Sequence, residues 1–307
     1  MSRALVFGAG GLLGYHIVRA LVVEGWNVTG VVRSDFDVNQ LLLLGATPLQ
    51  VTEVTFSHHN SPIVTAITES SLIIDAGLPT NLSLELLEAI SVHSLTHARK
   101  RAIFTAGSAL FVSRGDSPVD ESSPFNAFPG LQRLHPLVRN VGTTPNVIAS
   151  VMAPSIVYGG WFPKWEFLFE FNSETKKIDF PGSPAKRSGF IHVYDVATAY
   201  AAVAGAPAGD VAGQVFLIAN DERITLLDLW RSLAKAAGSN GEVNFVAPSQ
   251  RGYLSFIEEM DQVVDASKLK RLGWRPKHTA VSKDEASRLY ATFKAWKAAR
   301  PEASSSH

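Results

Sequence analysis

"RALVFGAGGLLGYHIVRALVVEGWNVTGVVR", residues 3–33, has the pattern of a strand, a glycine-rich turn, a helix and a second strand. The first strand pattern covers Ala4 to Phe7, the amphipathic helix pattern covers about residues 12–24, and the second strand pattern covers residues 27–32. Strands that alternate with helices pair in parallel through right-handed crossovers. The segment therefore predicts the first unit of an α/β protein built on a parallel sheet.

Three glycines in the turn, Gly8, Gly11 and Gly14, have the spacing GxxGxxG. The first allows a tight turn, the second lets backbone amides approach a phosphate, and the third lets the helix pack against the strand. The helix N-terminus, with Leu12 and Leu13, then faces the anion. Such a turn can be purely structural, but a strand before it and a helix after it favour a site for a dinucleotide pyrophosphate.

The end of the second strand indicates which dinucleotide binds. Arg33 lies about 19 residues past Gly14, where a site for NAD usually offers an acidic side chain to the ribose. A guanidinium pairs bidentately with a 2′-phosphate, so the sequence favours NADP (NADPH) over NAD. Two alternatives stay open: Arg33 is a surface residue without a ligand, or the strand runs two residues longer and Asp35 binds the ribose.

Strand and helix patterns continue to alternate along the chain. They predict a doubly wound, parallel Rossmann-type sheet of six or seven strands. We expect residues 1–157 to form the dinucleotide-binding domain, residues 190–220 to return to it, and residues 158–307 to form most of a smaller, interleaved C-terminal substrate domain. Ligands of such sheets lie beyond the carboxyl ends of the strands. That rule places one crevice beside residues 8–13, Arg33, residues 76–78, residues 105–108 and residues 154–158.

Composition narrows the class of partner. With 46% apolar residues among 307, the chain can bury a large core. Lys and Arg (28) balance Asp and Glu (28), so no overall charge attracts nucleic acid or an anionic membrane. The absence of cysteine excludes disulfides, thiolate catalysis and cysteine-bearing zinc sites, and we expect no metal. No apolar run approaches the ~20 residues that span a bilayer. We expect a cytoplasmic protein with a small-molecule substrate, and leave a homodimer open.

Four motifs, in order, carry a resemblance to a known family. They are "GAGGLLG" (8–14), "FTAGSALF" (104–111), "APSIVYGG" (153–160) and "GFIHVYDVATAYAAVA" (189–204). The chain resembles the extended short-chain dehydrogenases/reductases, which include NAD-dependent epimerases, dehydratases and dihydroflavonol-reductase-like enzymes. The resemblance covers nearly the whole length. It implies a Rossmann-type N-terminal domain, a smaller C-terminal substrate domain, and a nicotinamide cofactor between them.

The resemblance also implies roles for individual residues. The three glycines would hold the pyrophosphate, and Ala76 with Gly77 would pass beside the cofactor ribose. Ser108 would hydrogen-bond a substrate carbonyl or hydroxyl. Pro154 to Val157 would flank the nicotinamide. Three further matches fall on positions that are usually architectural in the family: Tyr158, His192 and Asp195.

One family feature is absent. The family donates its proton from a tyrosine whose pKa is lowered by a lysine four residues later, on the same helix face. No tyrosine occurs between Tyr15 and Tyr158, and no lysine occurs between Lys100 and Lys164. No shift of the alignment can recover the pair, so the substitution is real.

His135 and Arg139 are the closest substitute for that pair, judged by their distance from Ser108 and Glu121. They have the same i, i+4 spacing. A histidine is a reasonable acid near neutral pH, although a neighbouring guanidinium lowers its pKa. The alternative is that His135 is a structural residue before Pro136 at the start of a helix.

The sequence thus leaves three functions open. The first is an NADP(H)-dependent oxidoreductase or epimerase-like enzyme that acts on a small, largely apolar carbonyl or hydroxyl compound, with Ser108 polarising it and a non-standard proton donor. Losing a general acid costs ~10²- to 10⁴-fold in rate, while orientation alone supplies ~7–11 kcal/mol. The second is a non-redox isomerase, dehydratase or cyclase on the same scaffold. The third is a non-catalytic NADP-binding sensor.

Two features bear on the substrate. In sugar-nucleotide enzymes of the family an arginine precedes the "FIHV" motif by a fixed step, and Ser188 occupies that step here, with Arg187 one residue away. The resemblance therefore does not favour a nucleotide-diphosphate sugar. An aromatic stretch follows Gly160. It either lines an apolar pocket or belongs to the hydrophobic core; its residues are Trp161, Phe162, Trp165, Phe167, Phe169 and Phe171.

Overall fold

The structure is a computed structural model, which describes most of the chain. The described residues are 2–56, 61–94, 99–111, 117–125, 129–160, 163–181, 184–185, 187, 189–221, 225–247, 262–278 and 283–299.

Eleven strands and ten α-helices are assigned in the described residues. The strands are β1 (Arg3–Phe7), β2 (Asn27–Val32), β3 (Thr47–Gln50), β4 (Leu72–Asp75), β5 (Lys100–Thr105), β6 (Val147–Pro154), β7 (Ile156–Tyr158), β8 (Ile178–Pro181), β9 (Phe190–His192), β10 (Gln214–Ile218) and β11 (Val243–Val246). The helices are α1 (Leu12–Val23), α2 (Asp35–Leu43), α3 (Pro62–Glu69), α4 (Thr80–Ser94), α5 (His135–Asn140), α6 (Val193–Gly205), α7 (Ala208–Val211), α8 (Leu226–Ala237), α9 (Ser267–Lys270) and α10 (Lys283–Ala299). Short 3-10 helices cover Ser108–Leu110, Pro129–Leu134 and Pro163–Phe169.

Seven of the strands form one parallel sheet in the order β10-β6-β5-β4-β1-β2-β3. From β1 the chain proceeds towards β3, and from β4 it proceeds the opposite way, towards β6. Right-handed crossovers therefore put α1 and α4 on opposite faces. The predicted doubly wound α/β class is confirmed. The direction reverses between the neighbours β1 and β4, which is the point where such sheets bind ligands.

Apolar side chains form two cores. The larger surrounds the seven-stranded sheet, with fully buried residues such as Phe7, Phe104 and Phe216. The smaller lies between β8, the 3-10 helix Pro163–Phe169, α8 and α10. Phe167, Phe169 and Phe171 pack against this smaller core, which favours the core interpretation of the aromatic stretch. Trp161, Phe162 and the side chain of Trp165 lie outside the described part.

Asp195, in the first turn of α6, anchors a distant segment of the chain. Its buried carboxylate accepts hydrogen bonds from the backbone N–H groups of Lys277 (3.0 Å) and His278 (2.9 Å) and contacts His278 Nδ1 at 3.1 Å. Trp274 Nε1 donates to the Asp195 carbonyl at 3.2 Å. At the other end of α6, Arg101 donates to carbonyl oxygens of the last turn. Asp195 therefore holds residues 274–278 against the first turn of α6.

His16 and His192 lie in the packing around α6, and both stay neutral near pH 7. Burial, assisted by the Arg19 guanidinium, lowers the pKa of His16 to about 4. Burial and the neighbouring His278 lower the pKa of His192 to about 3. The His16 ring packs edge-on against Tyr194 at 4.8 Å, between α1 and α6.

We expect stability to fall in mild acid because of these two histidines. In the unfolded chain a histidine titrates near 6.5. Below that pH these two histidines bind protons in the unfolded state but stay neutral in the folded state. Stability is thus fully present above about pH 6.5 and is lost towards pH 4, at up to about 1.4 kcal/mol per pH unit for each histidine. Urea unfolding at about pH 7, 6 and 5 should show a shallower loss in His16→Phe. If the free energy of unfolding of His16→Phe falls with pH as steeply as that of the wild type, His16 is not buried in its neutral form.

No helix in the described ranges is long and apolar enough to cross a membrane.

Candidate functional site

A cleft of about 820 Å³ opens at the carboxyl ends of β1, β2 and β4. Four residues predicted to bind the cofactor line it: Gly8, Gly11, Arg33 and Gly77. The chain thus brings the glycine turn, the end of the second strand and the turn after β4 into one site. The rest of the lining is Gly10, Val31, Val32, Asp37, Thr52, Glu53, Val54, Leu78, Pro79, Asn81 and Leu82.

The glycine turn has the backbone that the spacing predicts. Gly8 has a φ of +71°, a left-handed conformation that glycine adopts without strain. The N–H of Gly11 closes the turn by donating to the Gly8 carbonyl at 2.9 Å. A side chain at Gly14 would place its Cβ 2.1 Å from that same oxygen, so helix and turn touch there. A Cβ at Gly8 would lie 3.6 Å from the carbonyl of Ala76.

The first turn of α1 begins beside the cleft: Gly11 lines it, whereas Leu12, Leu13 and Gly14 are not part of the lining. Gly11 is the N-cap and provides no side-chain cap, and the first turn contains no acidic residue. The helical bonds begin with the N–H of Tyr15, which donates to Gly11. The amides of Leu12 and Leu13 precede that bond, and the helix dipole adds partial positive charge to them. That they hold a phosphate stays a prediction.

Arg33 is exposed at the rim of the cleft, and no ion pair involves it in the described residues. Asp35, the alternative ribose ligand, instead accepts a hydrogen bond from Gln50 Nε2 at 2.9 Å and is not part of the lining.

Two acids among the described residues line the cleft, Asp37 and Glu53, and the sequence analysis missed both. Asp37 lies against the glycine turn: a Cβ at Gly10 would lie 2.5 Å from its Cγ. For Asp37, the signal in the sequence is the Ser34-x-x-Asp37 spacing of a helix cap.

Asp75, at the end of β4, holds the turn that carries Ala76 and Gly77. Its carboxylate accepts hydrogen bonds from the N–H groups of Gly77 (2.9 Å) and Leu78 (2.7 Å) and from Ser83 Oγ (2.5 Å). Burial raises the pKa of this carboxyl, while the three hydrogen bonds oppose the rise. Asp75 therefore fixes the backbone at Ala76 and Gly77, the segment predicted to pass beside the cofactor ribose.

Tyr200 is the tyrosine next to this network, but it is a poor proton donor. Its hydroxyl lies 2.7 Å from Thr105 Oγ1, which donates to the Asp75 carbonyl. Burial raises the pKa of Tyr200 well above its usual value. Tyr200 does not replace the missing tyrosine.

Ser108 lies at the carboxyl end of β5 and is buried. Its Oγ donates to Gln262 Oε1 at 3.2 Å, and Gln262 Nε2 donates to the Phe111 carbonyl at 2.9 Å. A Cβ at the neighbouring Gly107 would lie 3.7 Å from Leu131 Cδ1 and 3.9 Å from the Pro154 carbonyl oxygen. An apolar side chain thus faces this position, and Ser108 is engaged with a side chain that the sequence analysis did not identify.

His135 is the first residue of α5. Its ring lies 4.2 Å from that of Phe125, which packs edge-on against Phe111 at 5.6 Å. His135 is therefore linked by packing to the Ser108 region. Its Nε2 is buried and has no hydrogen-bond partner in the described part of the chain, whereas Arg139 is exposed one turn later.

Two more buried polar side chains lie at strand ends. Ser155 follows β6 and Asn220 follows β10, and their backbones join the same region: Ser155 N donates to the Ile218 carbonyl at 2.8 Å. Among the described residues, neither the Ser155 hydroxyl nor the Asn220 amide has a hydrogen-bond partner. Such groups cost about 1–3 kcal/mol each unless water or a ligand satisfies them. Pro154 and Val157, the predicted nicotinamide neighbours, flank Ser155.

Within the described ranges, no group of three or more His, Asp or Glu side chains could hold a metal ion.

Known proteins are similar to the chain in structure. No family model matches the sequence, and no curated protein is significantly similar to it. A functionally unknown conserved protein from Silicibacter pomeroyi shares 19% identity (TM-score 0.72, 96% of this chain, 99% of that one). A UDP-glucose 4-epimerase from Bifidobacterium longum, in complex with NAD⁺ and UDP, shares 16% (0.72, 97%, 99%). A dTDP-glucose 4,6-dehydratase from Bacillus anthracis, in complex with NAD, shares 14% (0.75, 97%, 98%). At these identities the likeness shows a common fold.

Proposed function

We propose, from the extended short-chain dehydrogenase/reductase fold of this chain, that the protein binds NADP(H) and oxidises or reduces a small, largely apolar hydroxyl or carbonyl compound. One observation carries the proposal: a single cleft is lined by the glycine turn, by the N-cap of α1, and by Arg33, which forms no ion pair with any described residue. When bound there, the cofactor supplies or accepts the hydride. The NAD complexes of the epimerase and the dehydratase support a nicotinamide dinucleotide in this fold.

The residues of the cleft fit such a cofactor. Gly8 and Gly11 leave room for a pyrophosphate, whose charge the amides of Leu12 and Leu13 can bind. Arg33 is free to form a charge-assisted, bidentate contact with a 2′-phosphate. Ala76 and Gly77 pass beside the turn, held by Asp75.

The neighbourhood of Ser108 supports the class of substrate. Its apolar members are Leu131, beside Gly107, and the packed rings of Phe111 and Phe125. Ser155 and Asn220 add a small number of unsatisfied polar atoms at the adjacent strand ends. A pocket with apolar walls and few polar groups suits a small compound with one carbonyl or hydroxyl. Ser188, on which the argument against sugar nucleotides rests, lies outside the described residues.

His135 is the proposed proton donor in place of the tyrosine. Its unpaired Nε2 and its link through Phe125 to the Ser108 region support this role. Arg139 would act on it only from a distance, since its side chain is exposed. Ser108 would polarise the substrate oxygen after exchanging its hydrogen bond to Gln262 for one to the substrate.

A second function, non-redox isomerase, dehydratase or cyclase chemistry on the same scaffold, is favoured by the absence of the tyrosine–lysine pair from the sequence. Mixing the protein and NADPH with a panel of small hydrophobic ketones separates the two. Loss of reduced-nicotinamide absorbance supports the oxidoreductase. Product formation with the absorbance unchanged supports the second function and contradicts the first. Binding of NADPH without any turnover would leave only a sensor.

Arg33→Ala tests the cofactor. We expect the Kd for NADPH to rise about 10- to 100-fold, since a hydrogen bond to a charged group contributes about 1.5–3 kcal/mol, and the Kd for NADH to change less than about threefold. Fluorescence titration measures both. Arg271→Ala, at the opposite edge of the sheet, is the matched control and should change neither. Equal losses for both dinucleotides would contradict a 2′-phosphate contact.

A further inference from the structure

A groove of about 390 Å³ lies on the surface between α1 and α6, two helices that pack directly against each other. It shares no described lining residue with the dinucleotide cleft. The α6 side consists mainly of small side chains, which leave room for the side chains of another helix: Ala197, Thr198, Ala201 and Ala202.

The α1 side of the groove is a stripe of residues at helical spacing. Residues 16, 19, 20, 23 and 24 have the i, i+3, i+4, i+7, i+8 pattern of a single helix face. The opposite side of α1 belongs to the large core. Within the stripe, Arg19, Val23 and Glu24 are exposed, and Val23 is exposed by 77%. The described chain therefore leaves an apolar side chain in solvent, between a positive and a negative charge.

This face of α1 is complementary to itself. When two copies of a helix pack antiparallel about a two-fold axis, both copies use the same residues, and each contact occurs twice. One register places Arg19 opposite the partner's Glu24 and Val23 opposite the partner's Ala20. Both pairs have their midpoint between residues 21 and 22, so a single axis satisfies them together. Charge matches charge, and a larger side chain meets a smaller one.

We propose that this groove is an interface between two copies of the chain, in which α1 packs antiparallel to the α1 of the partner. Val23 fills the space above the partner's Ala20, and Arg19 forms an ion pair with the partner's Glu24. Within one copy, neither charge has an ion-pair partner among the residues that the structure describes. The guanidinium of Arg19 lies 5.4 Å from the centre of the Tyr194 ring, at the edge of the groove.

The size of this face predicts a weak dimer. The two helices have 12 and 13 residues, which makes each about 18–20 Å long. Packed helices lie about 8–10 Å apart, so the face is about 20 Å wide. Such a face buries roughly 400 Å² per copy, at the low end for specific association. We expect a reversible dimer with a Kd on the order of 10 µM.

The first test exchanges the two charges. Sedimentation velocity over about 1–200 µM, a range that brackets the expected Kd, compares the wild type with Arg19→Glu, Glu24→Arg and the double variant. Each single variant puts like charges opposite each other twice, so its Kd should be at least about tenfold higher. The double variant restores both ion pairs and should return to within about threefold of the wild type. Leu43→Glu is the control: Leu43 is 81% exposed on α2, outside the groove, and its replacement should change the Kd less than about twofold.

The second test reads the register directly. Because the chain contains no cysteine, an introduced cysteine can form a disulfide only with another introduced cysteine. A disulfide requires Cα atoms within about 7 Å. A mixture of Ala20→Cys and Val23→Cys proteins should therefore give a disulfide-linked dimer under mild oxidation. Either protein alone should give much less, because its two cysteines are displaced by about one helical turn.

Each outcome decides the proposal. A wild type that stays monomeric at about 200 µM, well above the expected Kd, overturns it. An unchanged dimer in both single charge variants would place the interface on another face and also overturns it. A double variant as weak as the single variants would show that the two charges do not meet. Circular dichroism checks folding, and if a charge variant unfolds, cross-linking of the cysteine variants still gives the answer.

Discussion

Gly14→Ala should abolish dinucleotide binding, with the Kd for NADPH at least about 100-fold weaker. The new Cβ would lie 2.1 Å from the Gly8 carbonyl oxygen, 2.6 Å from the Gly8 carbonyl carbon and 2.8 Å from Ala9 Cα. All three atoms are backbone, so no side-chain rotation relieves the overlap, and overpacking a well-packed site costs about 1–3 kcal/mol or more. The turn must open, which moves the amides of Leu12 and Leu13 away from the phosphate position.

Gly205→Ala is the matched control, because Gly205 is also a helical glycine and a Cβ there meets no atom within 4 Å. We expect this variant to bind NADPH like the wild type, and to be equally or slightly more stable, because alanine favours a helix by about 0.5–1 kcal/mol. Titration measures binding, and circular dichroism confirms that both variants are folded. Near-normal binding by Gly14→Ala would show that the turn does not hold the cofactor.

Asp195→Ala should lower the free energy of unfolding by about 3 kcal/mol or more. Asp195 is 2% exposed. Its carboxylate accepts hydrogen bonds from two backbone N–H groups and contacts the His278 ring. Its loss leaves these donors without a partner, at about 1–3 kcal/mol each where they are buried. The affinity of the folded variant for NADPH should stay within about threefold of the wild type, because Asp195 does not line the dinucleotide cleft.

Urea unfolding compares this variant with Asp210→Ala, which removes an exposed aspartate from the first turn of α7. The control should change stability by less than about 0.5 kcal/mol. A stable Asp195→Ala protein that has lost substrate turnover would assign Asp195 a place in the chemistry, against the architectural role that the family resemblance implies.

The fold was predictable because each of its signals is local. The strand, turn and helix of residues 3–33 follow from periodicity and glycine spacing, and the structure has β1, α1 and β2 there. The helix predicted over about residues 12–24 covers Leu12–Val23, so its end differs by one residue. Element ends depend on contacts with neighbouring segments, which periodicity does not encode. The family resemblance predicts the fold that the solved structures confirm.

The dinucleotide site was predictable in part. Gly8, Gly11, Arg33 and Gly77 do meet in one cleft, because the carboxyl ends of parallel strands lie at one edge. The preference for NADP, the roles of Ser108, His135 and Arg139, the cytoplasmic location and the oligomeric state stay predictions. Asp37 was missed because its place in the cleft depends on the path of α2 across Gly10.

The sequence by itself determined the parallel sheet, the glycine turn and the absence of the tyrosine–lysine pair, since these follow from residue types at short spacing or from their absence. Only the tertiary structure decided that Leu131 faces Gly107, that Gln262 engages Ser108, that Asp195 holds residues 277 and 278, and that Asp37 lies against Gly10 in the cleft. Most of these contacts join segments far apart in the chain. How the helices and strands pack determines which residues meet, and the residue spacing and hydrophobic periodicity of the sequence do not specify that packing.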